Sequence, residues 1–232
     1  MSALKLIQIP FSHNCIKVRV ALGLKGLAYE TQDIAPMDRA SVVAASGQGL
    51  VPVLVADGRA IADSTRILLY LEERYPHPPL LPSDREALAE CLVLEDWADQ
   101  AFMAISRRIA YGSILNRPGR LAALFFPEDN GPARWLKERI AKRRVSQRFG
   151  LSPGRHAKDV AEAKRLAGLA MGRLDGRLWL VGSAPTIADV ALATMSAPLA
   201  ADRDTASDPA VVALLKWGDA LVPADVRELY RQ

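Results

Sequence analysis

Along the first third of the chain the apolar residues change period several times, and each change marks a short element. Leu4-Lys5-Leu6-Ile7-Gln8-Ile9 is rich in aliphatic residues and stops at Pro10, which predicts a strand. From Cys15 to Lys25 the apolar positions Ile16, Val18, Val20, Ala21, Leu22 and Leu24 fit a largely buried helix that Gly23 and Gly26 help to end. Residues 27–34 predict a second strand, so the opening is a βαβ unit whose strands run parallel. Residues 36–46 form a connection with a short helix. Val53-Leu54-Val55 and Ala60-Ile61 then flank Asp57-Gly58, a hairpin signal. Ser64 to Tyr75 reads as a helix capped by Asp63 or Ser64, with Ile67, Leu68 and Leu71 on one face.

This pattern breaks at Pro76-His77-Pro78-Pro79-Leu80-Leu81-Pro82, because each proline lacks an amide proton and blocks the turn before it. Beyond Ser83 the spacing is helical, interrupted around residues 117–119, 127–132 and 150–154. The expected organisation is an α/β domain over residues 1–76, a proline-rich linker over 77–83 and an all-α domain over 84–232.

Composition narrows the class. Half of the 232 residues are hydrophobic and 24% are charged, the balance of a globular protein. No run approaches the roughly 20 uncharged apolar residues of a membrane span, and the start leads straight into a strand rather than a signal peptide's apolar stretch. A cytoplasmic protein with no membrane partner is expected. Cys15 and Cys91 are too far apart for a small disulfide framework, and the spacing of His13, His77 and His156 suggests no zinc site, so no metal is expected. The one charge anomaly is the basic run from Arg134 to Arg144, a pattern that can attract nucleic acid, an anionic membrane face or an acidic ligand. Trp135, Leu136, Ile140 and Val145 recur at helical spacing within it. They predict a buried stripe under a solvated basic face, with no nucleic-acid partner expected.

Four segments carry candidate chemistry. Phe11-Ser12-His13-Asn14-Cys15-Ile16-Lys17-Val18-Arg19 lies where strand one hands over to helix one, so a hydroxyl or thiol there faces free amides and a dipole that favour an anion. Gly49-Leu50-Val51-Pro52-Val53-Leu54 precedes the third strand, Ile61-Ala62-Asp63-Ser64-Thr65 opens the third helix, and Thr186 and Asp189 stand three apart as a capping box before an apolar run. Each also has a plain structural reading as a cap or a turn.

In this order, across roughly 190 residues, the segments resemble the cytosolic glutathione transferases, in particular a serine-type, theta-like bacterial member with a Ser-x-x-Cys motif. The resemblance implies a thioredoxin-like first domain that binds glutathione as co-substrate through Ser12, His13, Leu50, Val51, Pro52, Asp63 and Ser64. Pro52 would be cis, letting the Val51 backbone pair with the cysteinyl unit, while Asp63 takes the ligand's ammonium and Ser64 its carboxylate. Ser12 would donate a hydrogen bond to the sulfur, favouring the thiolate. Conjugation to a small hydrophobic electrophile follows. Its site would lie between the domains, with Trp97, Gln100, Phe102, Met103, Arg107 and Tyr111 available and Arg107 or Arg108 offering charge. The resemblance further implies a homodimer with Thr65, Arg66 and the first long helix of the second domain near its interface. Two alternatives stand beside it. One is glutathione-dependent disulfide or peroxide reduction through Ser12 or Cys15, with Cys15 the alternative catalytic residue. The other is a non-catalytic scaffold or ligand carrier whose basic run engages an acidic partner. Residues 115–155 thin the resemblance.

Overall fold

The computed structural model describes residues 4–224, 227 and 228. Met1 to Ala3, and residues 225, 226 and 229–232 of the expected helical region, lie outside the described residues. The first element is β1 (Leu4–Gln8), followed by α1 (His13–Leu24), β2 (Tyr29–Asp33), α2 (Ala40–Ser46), β3 (Val53–Ala56), β4 (Arg59–Ala62) and α3 (Ser64–Arg74). The sheet order is β2-β1-β3-β4, with β1 and β2 parallel and the other pairs antiparallel. The β3–β4 turn falls on Asp57 and Gly58, both at positive φ, the conformation such a two-residue hairpin requires.

Strand alternation divides the side chains between two layers. Leu4, Leu6, Leu54 and Ala56 join Val18, Leu22, Ile67, Leu68 and Leu71 in the main core, whereas Ile7, Val53 and Ile34 pack with Val42 of α2. The sheet is therefore covered by α1 and α3 on one face and by α2 on the other.

The remainder is helical: α4 (Arg85–Trp97), a π turn (Ala98–Phe102), α5 (Met103–Asn116), α6 (Arg120–Phe125), α7 (Gly131–Phe149), α8 (Pro153–Arg173), α9 (Ile187–Ser196), a 3₁₀ turn (Ala197–Ala201), α10 (Arg203–Ala206) and α11 (Pro209–Gly218). No helix among the described residues is long and apolar enough to cross a membrane. The expected breaks coincide with the gaps flanking α6 and α7. The capping box also forms: Asp189, fully buried, accepts hydrogen bonds from the Thr186 amide (2.8 Å), the Thr186 hydroxyl (2.7 Å) and the Leu180 amide (2.7 Å). It starts α9, which is buried along its whole length and lies against α1.

Two buried lysines join the α/β layer to the helices. Lys25 donates to the carbonyls of Tyr75 (2.7 Å) and Pro78 (2.9 Å) and pairs with Glu72, so the proline-rich segment is fastened to the end of α1. Lys17, with no exposed surface, pairs with Glu95, with Asp99 at 2.8 Å, and with the Thr65 hydroxyl at 3.2 Å. That hydroxyl donates onward to Glu95 at 2.7 Å, so Thr65 spends it within the chain. The π turn carries Asp99 into this network.

One expectation fails in α7. Val145 is buried, as predicted, but its partner is Ala141, while Trp135, Leu136 and Ile140 are 60%, 54% and 46% exposed. Ala141 and Val145 seat the helix against Leu121 and Phe125 of α6. Positions five apart, such as 136 and 141 or 140 and 145, lie about 140° apart around a helix, so Leu136 and Ile140 turn outward. Arg139 stacks over Trp135 at 5.6 Å.

Candidate active site

The register of the sheet draws three of the candidate segments together. Ile7 of β1 pairs with Val53 of β3, which pairs with Ala62 of β4. Because β3 runs against both neighbours, the exit of β1, the entry of β3 and the exit of β4 lie at the same end of the sheet. Val51–Pro52 directly precede Val53, Asp63–Ser64 directly follow Ala62, and Ser12 lies four residues beyond the end of β1.

Ser12 is the N-cap of α1. Its amide donates to the Ile9 carbonyl and its carbonyl accepts from the Ile16 amide, both at 2.9 Å, while its side chain makes no capping bond to the first turn. A half-buried hydroxyl therefore stands at a helix N-terminus whose first amides are not satisfied by the cap, an arrangement suited to holding an anion. The Val51–Pro52 peptide is cis. In the loop before it, the Gln48 side chain clasps Leu50, accepting from its amide and donating to its carbonyl at 2.8 Å, and leaves the Leu50 side chain 68% exposed. Gln48 carried no signal in the sequence, since one amide residue in a turn is unremarkable.

Asp63 and Ser64 separate their duties. Asp63 is the N-cap of α3, its Oδ1 accepting from the Arg66 amide at 3.0 Å, and it is held at φ 80°. A non-glycine residue in that region costs on the order of 1–3 kcal/mol and recurs where the backbone must aim a group at a ligand. Ser64 is buried as the first residue of the helix.

Cys15 and His13 sit deeper. Cys15 is fully buried, and burial pushes its thiol up to about 11, against smaller opposing contributions from the Ile9 backbone and Ser12. Such a thiol is almost wholly protonated at neutral pH, which weighs against its acting as a nucleophile. His13 is 8% exposed, and burial lowers its pKa from 6.5 to about 3, with Arg107 a smaller cause. Its Nε2 lies 3.3 Å from an Arg107 nitrogen, and since a guanidinium can only donate, that nitrogen is the acceptor of a neutral ring.

The unfolded chain takes up a proton at His13 below pH 6.5, whereas the folded chain refuses it until about pH 3. His13 thus favours folding above pH 6.5, and that contribution is lost as pH falls through this window. Burial raises the pKa of Asp99 and Asp189, which work in the opposite sense. The readout is therefore a comparison: melting temperature should fall more steeply from pH 7 to 4.5 in the wild type than in His13→Gln. Equal slopes would show that the ring is not held neutral.

Of the α4–α5 candidates, Phe102 is fully buried in the main core and meets the Trp97 ring edge-on at 5.5 Å. Arg108 is held by Asp159 through two bonds of 2.7 and 2.6 Å. Arg107 turns toward the first domain, where it meets His13. Tyr111 stacks on Phe149 at 4.8 Å, and Phe11, beside Ser12, stacks on Phe125 at 6.3 Å. The wall next to Ser12 thus comes from α6 and α7, the segment where the sequence resemblance thins.

Two other clusters lie apart from Ser12. A cavity of about 390 Å³ between α5, α7 and α8 is lined by Arg108, Gly112, Leu115, Leu151 and His156 among others. His156, Asp202 and Asp204 bring their ligand atoms within 4.8 Å of one another, a grouping hidden by their separation in sequence. The Asp202 carboxylate there caps α10.

Residues 6–79 match the family model described as the N-terminal domain of glutathione S-transferase. Glutathione S-transferase Z2 of Arabidopsis thaliana is 40% identical over 85 residues, 35% of this chain and 38% of that protein. The chain spans about a third of the length of the curated relatives it matches. Among solved structures, a glutathione S-transferase from Rhodospirillum rubrum F11 superposes with a TM-score of 0.65 at 26% identity, covering 99% of this chain and 92% of that one. A glutathione S-transferase from Methylobacterium radiotolerans, solved in complex with glutathione sulfonate, gives 0.61 at 26% identity, covering 95% of each chain. The chain has the glutathione transferase fold, a thioredoxin-like layer followed by a helical domain.

Proposed function

We propose that the protein is a glutathione transferase of the serine type, which binds glutathione at the shared end of β1, β3 and β4 and conjugates it to a small electrophile. The observation that carries the reading is the register Ile7–Val53–Ala62, which gathers an uncommitted hydroxyl at a helix N-terminus, a cis-proline turn and an acidic–serine pair at one end of the sheet. Each supplies what one part of a γ-glutamyl tripeptide lacks. Asp63 offers a carboxylate to the ammonium, the first turn of α3 with Ser64 offers donors to the carboxylate, and the Val51 backbone offers an edge to the cysteinyl unit.

Chemistry then falls to Ser12. Its hydroxyl donates to the sulfur, and the α1 amides add to the same positive end, so the thiol gives its proton to solvent more readily. Each unit by which the pKa falls is worth about 1.4 kcal/mol. The thiolate attacks the electrophilic carbon, a carbon–sulfur bond forms, and the leaving group departs with its electron pair. Phe11, Tyr111 and Phe149 present the apolar wall against which that carbon rests.

Calorimetric titration with reduced glutathione tests the reading. Wild-type protein should bind saturably, and Ser64→Ala should weaken binding about tenfold, the size of one lost hydrogen bond to a charged group. Folded wild-type protein that takes up no glutathione would overturn it. Light scattering should give a dimer in solution.

A further inference from the structure

Arg107 and Arg108 are neighbours on α5, and the fold treats them differently. Arg108 receives the bidentate carboxylate of Asp159. Arg107 receives no carboxylate among the described residues. It meets neutral His13 at 3.3 Å and the face of Phe149 at 5.7 Å, and the charged or ionisable groups that bias it are Tyr111 and a second cation, Arg148. Arg148 lies over the same Phe149 ring at 5.9 Å. Arg39 acts on Tyr111 from the α2 side, and its Nη1 is buried with no hydrogen-bond partner. Three guanidinium groups therefore act electrostatically on one tyrosine, two of them over the ring it stacks on.

A half-buried cation without a counter-charge is costly, and a guanidinium fork is shaped to take a carboxylate through two donors. Burial makes Arg107 less able to keep its proton, as an uncompensated charge should be. Aromatic rings frame it: Tyr111 stacked on Phe149, with Phe11 and Phe125 beyond. Resting on the transferase reading above, we propose that the co-substrate of this enzyme is an aromatic electrophile bearing an anionic group, which Arg107 receives while the ring lies against Phe11, Tyr111 and Phe149. His13 is the spacer in this arrangement. Next to Ser12 in the chain, it meets the Arg107 guanidinium at 3.3 Å, so an anion on Arg107 would lie one residue's breadth from the turn that holds the sulfur.

Two glutathione conjugates test this, S-(4-carboxybenzyl)glutathione and S-(4-nitrobenzyl)glutathione, whose terminal groups match in shape and differ in charge. Calorimetric titration of the wild type should give at least tenfold tighter binding of the carboxybenzyl conjugate. Arg107→Gln should abolish that ratio and Arg107→Lys should keep part of it, since charge persists without the fork. Because both probes share the glutathione arm, loss of a glutathione contact weakens them equally and leaves the ratio alone. An unchanged ratio in Arg107→Gln, or equal affinities in the wild type, overturns the proposal while the transferase reading stands. If neither conjugate nor glutathione binds the folded wild type, the transferase reading fails and the proposal with it.

Discussion

Replacing Lys17 by Met should lower the stability of the folded chain by about 3–5 kcal/mol, because Glu95 is left as a buried carboxylate without its counter-charge. At this chain length each kcal/mol moves the melting temperature by about 2–4 °C, so thermal denaturation should register a drop on the order of 10 °C. Removing the stranded charge as well should restore part of the loss. The double variant Lys17→Met, Glu95→Gln is accordingly expected to melt above the single one. Burial already raises the pKa of Asp99, with Lys17 the chief opposing influence, so losing the ammonium leaves two carboxylates crowded together. A single-variant loss below about 1 kcal/mol would mean that the network behaves like a surface ion pair.

Ser12→Ala should cut conjugation of glutathione to an electrophile by about 10²–10³-fold, the usual loss when one preorganised donor to a developing anion is removed. The Ser12 hydroxyl makes no capping bond to α1, so its removal should leave the helix intact and glutathione affinity little changed. The pH profile carries the diagnosis. A hydrogen bond to the thiolate lowers the thiol's pKa, so the alanine variant should need a higher pH to reach half-maximal rate. Cys15→Ser is the companion measurement. The Cys15 thiol is buried and pushed up to about 11, so this variant should keep its rate within a few-fold. Loss of activity in the cysteine variant alone would instead favour disulfide or peroxide reduction.

What could be read from sequence was local. The βαβ opening, the Asp57-Gly58 hairpin, the break at Pro76 and the Thr186–Asp189 capping box each depend on residues a few positions apart, and each formed as expected. Contacts between distant segments were not legible. Lys17 sits among apolar neighbours and looks like one face of an amphipathic helix, yet its partners are 78 and 82 residues away. Arg107 and Arg108 are indistinguishable until Asp159 claims one of them. The α7 stripe misled because helical spacing gives the angle between side chains but not the direction of the neighbour. Ala141 is too small to advertise the buried face, and Trp135 too large to suggest exposure. The candidate residues at positions 12, 51–52 and 63–64 were visible in the sequence, while their meeting at one end of the sheet came from the strand register.

The fastening of the proline-rich segment by Lys25 bears on how this protein can be cut and recombined. The main apolar cluster runs without interruption from Leu4 to Leu214, and Lys17 reaches across to α4 and the π turn. A break in the peptide chain between Tyr75 and Leu80 would therefore leave two fragments still clamped to one another, not two independent bodies. A chimera that exchanges the first 76 residues for those of another protein inherits a charge requirement along with the fold: whatever occupies position 17 must suit Glu95 and Asp99.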